Sequence, residues 1–281
     1  MTAADAPQPI RRILVALDAS GASLSALDAA ARLAVQMEAE LLGLFVEDVN
    51  LLRLAGLPFA REVGLTLAHA RPLASADMER ALRAQALRAQ QALEQAATRL
   101  SVRCSFRVVR GQVTEELLAA AEEADLVAIG LSRQTLSRAR PGTTAGAMAA
   151  GTTRPMLFLP RDATVRPPVM VIYNGSAAGE RALALAVRLA QAEQWPLTVW
   201  IAGKDEKQRK KLQGEAERAL EDSELTATLR PWRDHDLTEL LREVYRDRGA
   251  TLVLPTDIAN TEREQLTQVL EQAGGAVLLV C

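Results

Sequence analysis

ADLVAIGLSRQTLSRARPGTTAGAMAAGTTRPMLFL, residues 124–159, sets two apolar runs on either side of a basic, small-residue connection. Asp125-Leu126-Val127-Ala128-Ile129-Gly130 is too short for a helix and stops at a glycine, the pattern of a strand buried on both faces of a parallel sheet. Ser132, Arg133, Ser137, Arg138 and Arg140 follow in a loop, and Gly142-Thr143-Thr144 opens a small-residue helix reaching about Gly151. Pro155 to Leu159 then reads as the next strand. Unpaired backbone N–H groups, hydroxyls and the positive end of a helix dipole converge in such an arrangement, so an anion, above all a phosphate, is its natural guest.

Working backwards, the same alternation of strand and helix fills the first half. Arg11 to Leu17 reads as a buried strand, and Asp18-Ala19-Ser20-Gly21-Ala22-Ser23 turns it into a helix that Ser20 or Ser23 can cap. That helix runs to about Met37, with Leu24, Leu27, Ala31, Leu33 and Ala34 at helical spacing, and Glu40 to Val46 supplies a second strand. From Glu47 to Ser75 the chain reads as apolar and irregular, a lid, a packed loop or a partner contact. A long helix is expected from about Ala76 to Leu100, a third strand from Cys104 to Val109, and a third helix after Gly111 with Thr114 as its cap. The order β-α-β-α-β-α-β-α-β implies a parallel sheet with helices on both faces.

After the Pro-containing linker 161–168 the pattern restarts at Val169-Met170-Val171-Ile172-Tyr173. Shifting the numbers by 156 brings Ala26 onto Ala182, Leu27 onto Leu183, Ala30 onto Ala186, Arg32 onto Arg188 and Leu33 onto Leu189. Thr114 to Leu118 echoes in Leu237 to Leu241, and Leu126-Val127 in Leu252-Val253. These echoes make the chain a tandem repeat, with units at 1–162 and 167–281. The second copy is expected to lack the anion site. Its fourth strand ends Leu254-Pro255-Thr256-Asp257 instead of in glycine, Asn174 replaces Asp18, and Glu262 stands near the place of Gly142.

The composition narrows the function. At 281 residues and 49% hydrophobic content the chain can supply two cores, and a net charge of −2 gives no basic field for nucleic acid. No apolar run approaches the length of a membrane span, and Met1 to Pro9 lacks the basic and apolar regions of a signal peptide, so the expected location is the cytoplasm. Cys104, Cys281, His69 and His235 are the only thiols and imidazoles, too few for a thiolate metal centre and a poor basis for a Ser-His-Asp triad. No Walker sequence or pyrophosphatase loop is present, so no enzyme is expected beyond weak ATP hydrolysis.

The strand-end Asp18 with its Gly/Ser-type turn, and the stretch from Gly130 to Thr144, resemble the universal stress protein family. The resemblance implies an adenine nucleotide alpha hydrolase-like, Rossmann-like fold: two tandem doubly wound, parallel five-stranded sheets. It also implies a stress-response regulator that binds ATP or a related nucleotide, with magnesium, through Asp18, Val46, Gly130, Arg133, Gly142, Thr143 and Thr144. Two departures bear on this. Arg133 stands where the family's second glycine falls, and Gly142 comes one residue early; the arginine either blocks the approach of a phosphate or offers its guanidinium instead. Asp18 equally suits a helix-entry turn. A family member that binds no nucleotide and acts through its surfaces is the alternative. Single domains of the family pair through their last strands, so the resemblance further implies a pseudo-dimer within this chain, Met156 to Leu159 against Ala276 to Val280, with a homodimer of chains also open.

Overall fold

The computed structural model describes residues 9–57, 61–63, 70–72, 75–131, 144–160, 163–221, 223, 225–232, 249–260 and 275–281. In the first half these form β1 (Arg12–Ala16), α1 (Gly21–Met37), β2 (Glu40–Asp48), α2 (Val49–Ala55), β3 (Arg61–Val63), β4 (Ala70–Pro72), α3 (Ser75–Leu100), β5 (Cys104–Gly111), α4 (Val113–Ala121), β6 (Leu126–Leu131), α5 (Thr144–Gly151) and β7 (Met156–Pro160). The second half contributes β8 (Val169–Tyr173), α6 (Ala177–Glu193), β9 (Leu197–Ile201), α7 (Glu206–Leu220), β10 (Ala227–Pro231), β11 (Thr251–Pro255), α8 (Thr256–Asn260) and β12 (Val277–Val280).

Ten strands join into a single sheet in the order β10-β9-β8-β11-β12-β7-β6-β1-β2-β5. Within each half of this sheet every pairing is parallel, β3 and β4 forming a separate antiparallel pair, and the halves meet where β12 runs antiparallel to β7, with Val277 opposite Phe158, Leu278 opposite Leu157 and Leu279 opposite Met156. Met156 follows Val127 in the ladder as Val277 follows Leu252, so Leu157 and Leu278 are counterparts facing each other. A pseudo-twofold axis therefore passes between them, and each half covers the other's open edge. Across the same seam the Gln36 amide donates to Glu193 at 3.0 Å, and the Cys281 thiol lies 3.6 and 3.7 Å from the carbonyls of Thr152 and Arg154.

Composition alone suggested one core per repeat. The apolar side chains instead form one core on each face of the sheet, and each runs through both halves. Ile13, Val15, Leu157, Val171 and Leu278 point to the face covered by α1, α3, α6 and α7. Leu14, Val127, Phe158, Met170 and Leu279 point to the other, where α4 and α5 cover the first half. Alternation of side chains across a strand buried on both faces produces this division.

Two local expectations need correction. Residues 49–55 are helical, because Asp48 Oδ1 accepts from the Asn50 N–H at 2.8 Å and starts a turn the apolar composition had hidden. The helix after β5 begins one residue before Thr114, so its N-cap is Gln112, which makes no side-chain cap bond. In α3 the buried positions are Leu82, Ala86, Ala89, Leu93, Ala96 and Ala97, and Leu87 stays exposed. The echo at Leu237 to Leu241, Glu262 and both histidines lie outside the described residues.

Candidate functional site

In the first half the chain steps from β1 outward through β2 to β5, then returns across β1 to β6 and β7. The reversal leaves a crevice at the carboxyl ends of β1 and β6, the switch point where open α/β sheets take their ligands. Ala16 pairs with Leu44 and Val15 with Ala128, so by continuation of the ladder Asp18 lies at the level of Val46, and Gly130 at that of Leu17. Thr144, the first residue of α5, opens the crossover helix between β6 and β7; Met148, fully buried, anchors α5 on the core beneath. The fold thus brings Asp18, Val46, Gly130 and Thr144 to one rim. Arg133, Gly142 and Thr143 lie outside the described residues.

Each of these side chains has a local structural reason as well. Asp18 Oδ1 accepts from the Ser20 N–H at 2.9 Å, Ala19 adopts a left-handed conformation at φ 59°, and Ser20 caps α1 by accepting from the Ser23 N–H at 3.2 Å. Asp18 is nonetheless exposed at the crevice. Val46 is half-buried against the second core. Gly130 is dictated by packing: a Cβ there would come 2.2 Å from the Ala22 carbonyl oxygen and 2.6 Å from the Ser23 nitrogen, backbone atoms that cannot move aside without shifting α1.

The second half repeats the turn and bridges its switch point with a hydrogen bond. Asn174 Oδ1 accepts from the Ser176 N–H at 3.1 Å, Gly175 takes φ 73°, and Ser176 caps α6 through the Gly179 N–H at 3.0 Å. Asn174 Nδ2 then donates to Asp257 Oδ2 at 2.8 Å, which spans the switch point between β8 and β11. Ladder register corrects the sequence alignment here. Ile13 faces Leu126 while its counterpart Val169 faces Thr251, so Leu126 corresponds to Thr251, one position short of the apparent echo at Leu252. Strands buried on both faces carry no alternation to fix such a register from sequence. With it fixed, Pro255 occupies the place of Gly130. The Asn174–Asp257 bond was not legible in the sequence, because an Asn and an Asp 83 positions apart give no local signal.

The model of the universal stress protein family matches residues 9–160. Among curated proteins none matches the chain. Of solved structures, a universal stress protein from Archaeoglobus fulgidus superposes with a TM-score of 0.70 at 13% identity, covering 95% of this chain and 97% of that one. A putative universal stress protein from Pseudomonas aeruginosa gives 0.55 at 15% identity over 96% and 92%. An Arabidopsis thaliana member of the family with AMP bound gives 0.37 at 16% identity over 54% of this chain and 93% of that one. The two long matches carry the same fold across both halves, and the family model covers more than half of the sequence, the portion that holds the β1–β6 switch point. This chain belongs to the universal stress protein family.

Proposed function

We propose that the first-half crevice binds ATP or a related nucleotide as a regulatory ligand, and that the chain serves a stress response as a ligand-dependent regulator. The observation that carries this reading is the contrast between the two switch points. At β1 and β6 the rim offers the exposed Asp18 and the start of α5 to a ligand, whereas at β8 and β11 the Asn174–Asp257 bond crosses the equivalent position. Asp18 would accept from a ribose hydroxyl, and Thr143, Thr144 and Arg133 would donate to phosphates, with magnesium neutralising the remaining charge.

A second reading has one observation in its favour. Gly130 is already required by the close approach of Ala22, so its presence is no independent sign of a phosphate, and a surface-acting protein without nucleotide would keep it too. Titration with labelled ATP and magnesium separates the two. Under the proposal the wild type binds, and Arg133→Ala weakens binding by about 1.5–3 kcal/mol, the worth of a hydrogen bond to a charged group. A wild type that fails to bind while Arg133→Gly binds makes the arginine a block. Flat curves for wild type, Arg133→Ala and Arg133→Gly would overturn nucleotide binding altogether.

A further inference from the structure

The two ends of the ten-stranded sheet are built differently. At the β5 end the edge cations are neutralised: Arg107 makes two bonds of 2.9 Å to the Glu123 carboxylate, and Arg110 lies 2.8 Å from Glu47 and 3.7 Å from Glu79. At the β10 end the cations stand over an open cleft. Ile201, Leu229 and Pro231 floor it, Arg209, Lys210 and Gln213 of α7 overhang it, and its volume is about 140 Å³. Arg230 and Glu206 complete the lining, and the one carboxylate is already held by Arg209 at 2.8 Å. Among the described residues no carboxylate pairs with Lys210.

Among the described residues the backbone of β10 is paired on one side only. In a parallel ladder a residue turns both its N–H and its C=O to one side, and the next residue turns both to the other. The Leu197 N–H donates to Thr226 and the Trp232 N–H to the Ile201 carbonyl, so residues 226, 228, 230 and 232 face β9. Ala227, Leu229 and Pro231 therefore face outward. Proline has no N–H to lose at such a position, which is why it is tolerated there. Among the described residues no strand pairs with β10 on that side.

We propose that β10 is a docking edge for an extended acidic segment of a partner protein. The segment adds a strand that bonds the outward groups of Ala227 and Leu229 and turns alternate carboxylates to the face of Leu229 and α7, against Arg209 and Lys210, its intervening apolar side chains lying on the opposite face. Main-chain bonds supply affinity in this mode of recognition and the flanking side chains supply selectivity. The inference is independent of whether the first-half crevice holds a nucleotide.

The test uses the full chain and fluorescent heptapeptides of alternating valine and glutamate, or valine and lysine, read by anisotropy. The glutamate peptide binds, the lysine peptide does not, and Arg209→Glu with Lys210→Glu weakens binding at least about tenfold. Methylating the glutamate peptide's backbone nitrogens on one edge, then on the other, leaves its charge intact; binding is lost for the edge that meets β10. Ala227→Pro, which deletes an outward N–H only, has the same effect without touching the peptide. No binding of the glutamate peptide, equal binding of both peptides, or full binding of both methylated forms overturns the proposal, the last because a merely basic surface would not sense the backbone.

Discussion

At Gly130 the structure makes a demand that the sequence shows only as a letter. Gly130→Ala drives a methyl group against the Ala22 carbonyl, so α1 must shift from β6; the expected loss is about 1–3 kcal/mol, measurable by denaturant unfolding. An undiminished midpoint would show that α1 is looser than its packing implies. Asp18 gives the complementary case. Asn174 holds the same turn in the second half with an amide in place of a carboxylate, so Asp18→Asn should leave the melting temperature nearly unchanged and, under the proposed function, weaken nucleotide binding. Equal affinity for both forms would reduce Asp18 to a turn residue. Tyr173, only 3% exposed, has its pKa pushed up to about 12, mainly by burial and then by the Glu215 and Glu180 carboxylates. A raised folded pKa stabilises the neutral form, so its contribution is whole below the unfolded value near 10 and is lost as pH rises towards 12. Comparing wild type with Tyr173→Phe, only the wild type should show this additional loss between pH 10 and 12. The turn at Asp18 was legible because Asp-x-Ser is a local signal; the reason for Gly130 was not, because Ala22 lies far from it in sequence.

Helix starts are the elements the sequence announces best, and the two copies allow an internal check. Ser20 and Ser176 have nearly the same backbone, φ −78° and ψ 160° against φ −80° and ψ 164°, and each accepts from the N–H three residues on. Ser20→Ala and Ser176→Ala should therefore cost about 1 kcal/mol apiece, and their effects should add, since distant sites are independent. Urea titrations of the two single variants and the double variant give the answer, and unequal costs would mean that the shared geometry does not set the energy. Elsewhere local signals misled. In the stretch after β2 the apolar, irregular composition hid the Asp48 cap, and in α3 spacing alone admits either Ala86 or Leu87 to the core. Close approach of α3 to α1 and β2 selects the small side chain, and spacing alone does not report how near a neighbour comes.

Across the whole molecule the seam is the feature with the largest consequence. Separated halves, residues 1–162 and 167–281, would expose β7 and β12 as long apolar edges, so on mixing they should associate one to one, and alone each should self-associate through the same strand. Light scattering of the separate and mixed halves reads this directly; halves that stay monomeric would show that the antiparallel pairing contributes little. For the intact chain both cores run through both halves, so one cooperative unfolding transition is expected instead of two. By itself the sequence determined the repeat, the parallel order of the main sheet's strands within each copy and the serine-capped entry into each first helix, because all of these rest on periodicity and short-range hydrogen bonding. Only the tertiary structure decided which residues correspond between the fourth strands, why Gly130 must be glycine, that Asn174 and Asp257 bridge the second switch point, and that Arg209 and Lys210 gather at the β10 edge. Those features depend on how near distant segments approach, and strands buried on both faces carry no pattern that encodes it.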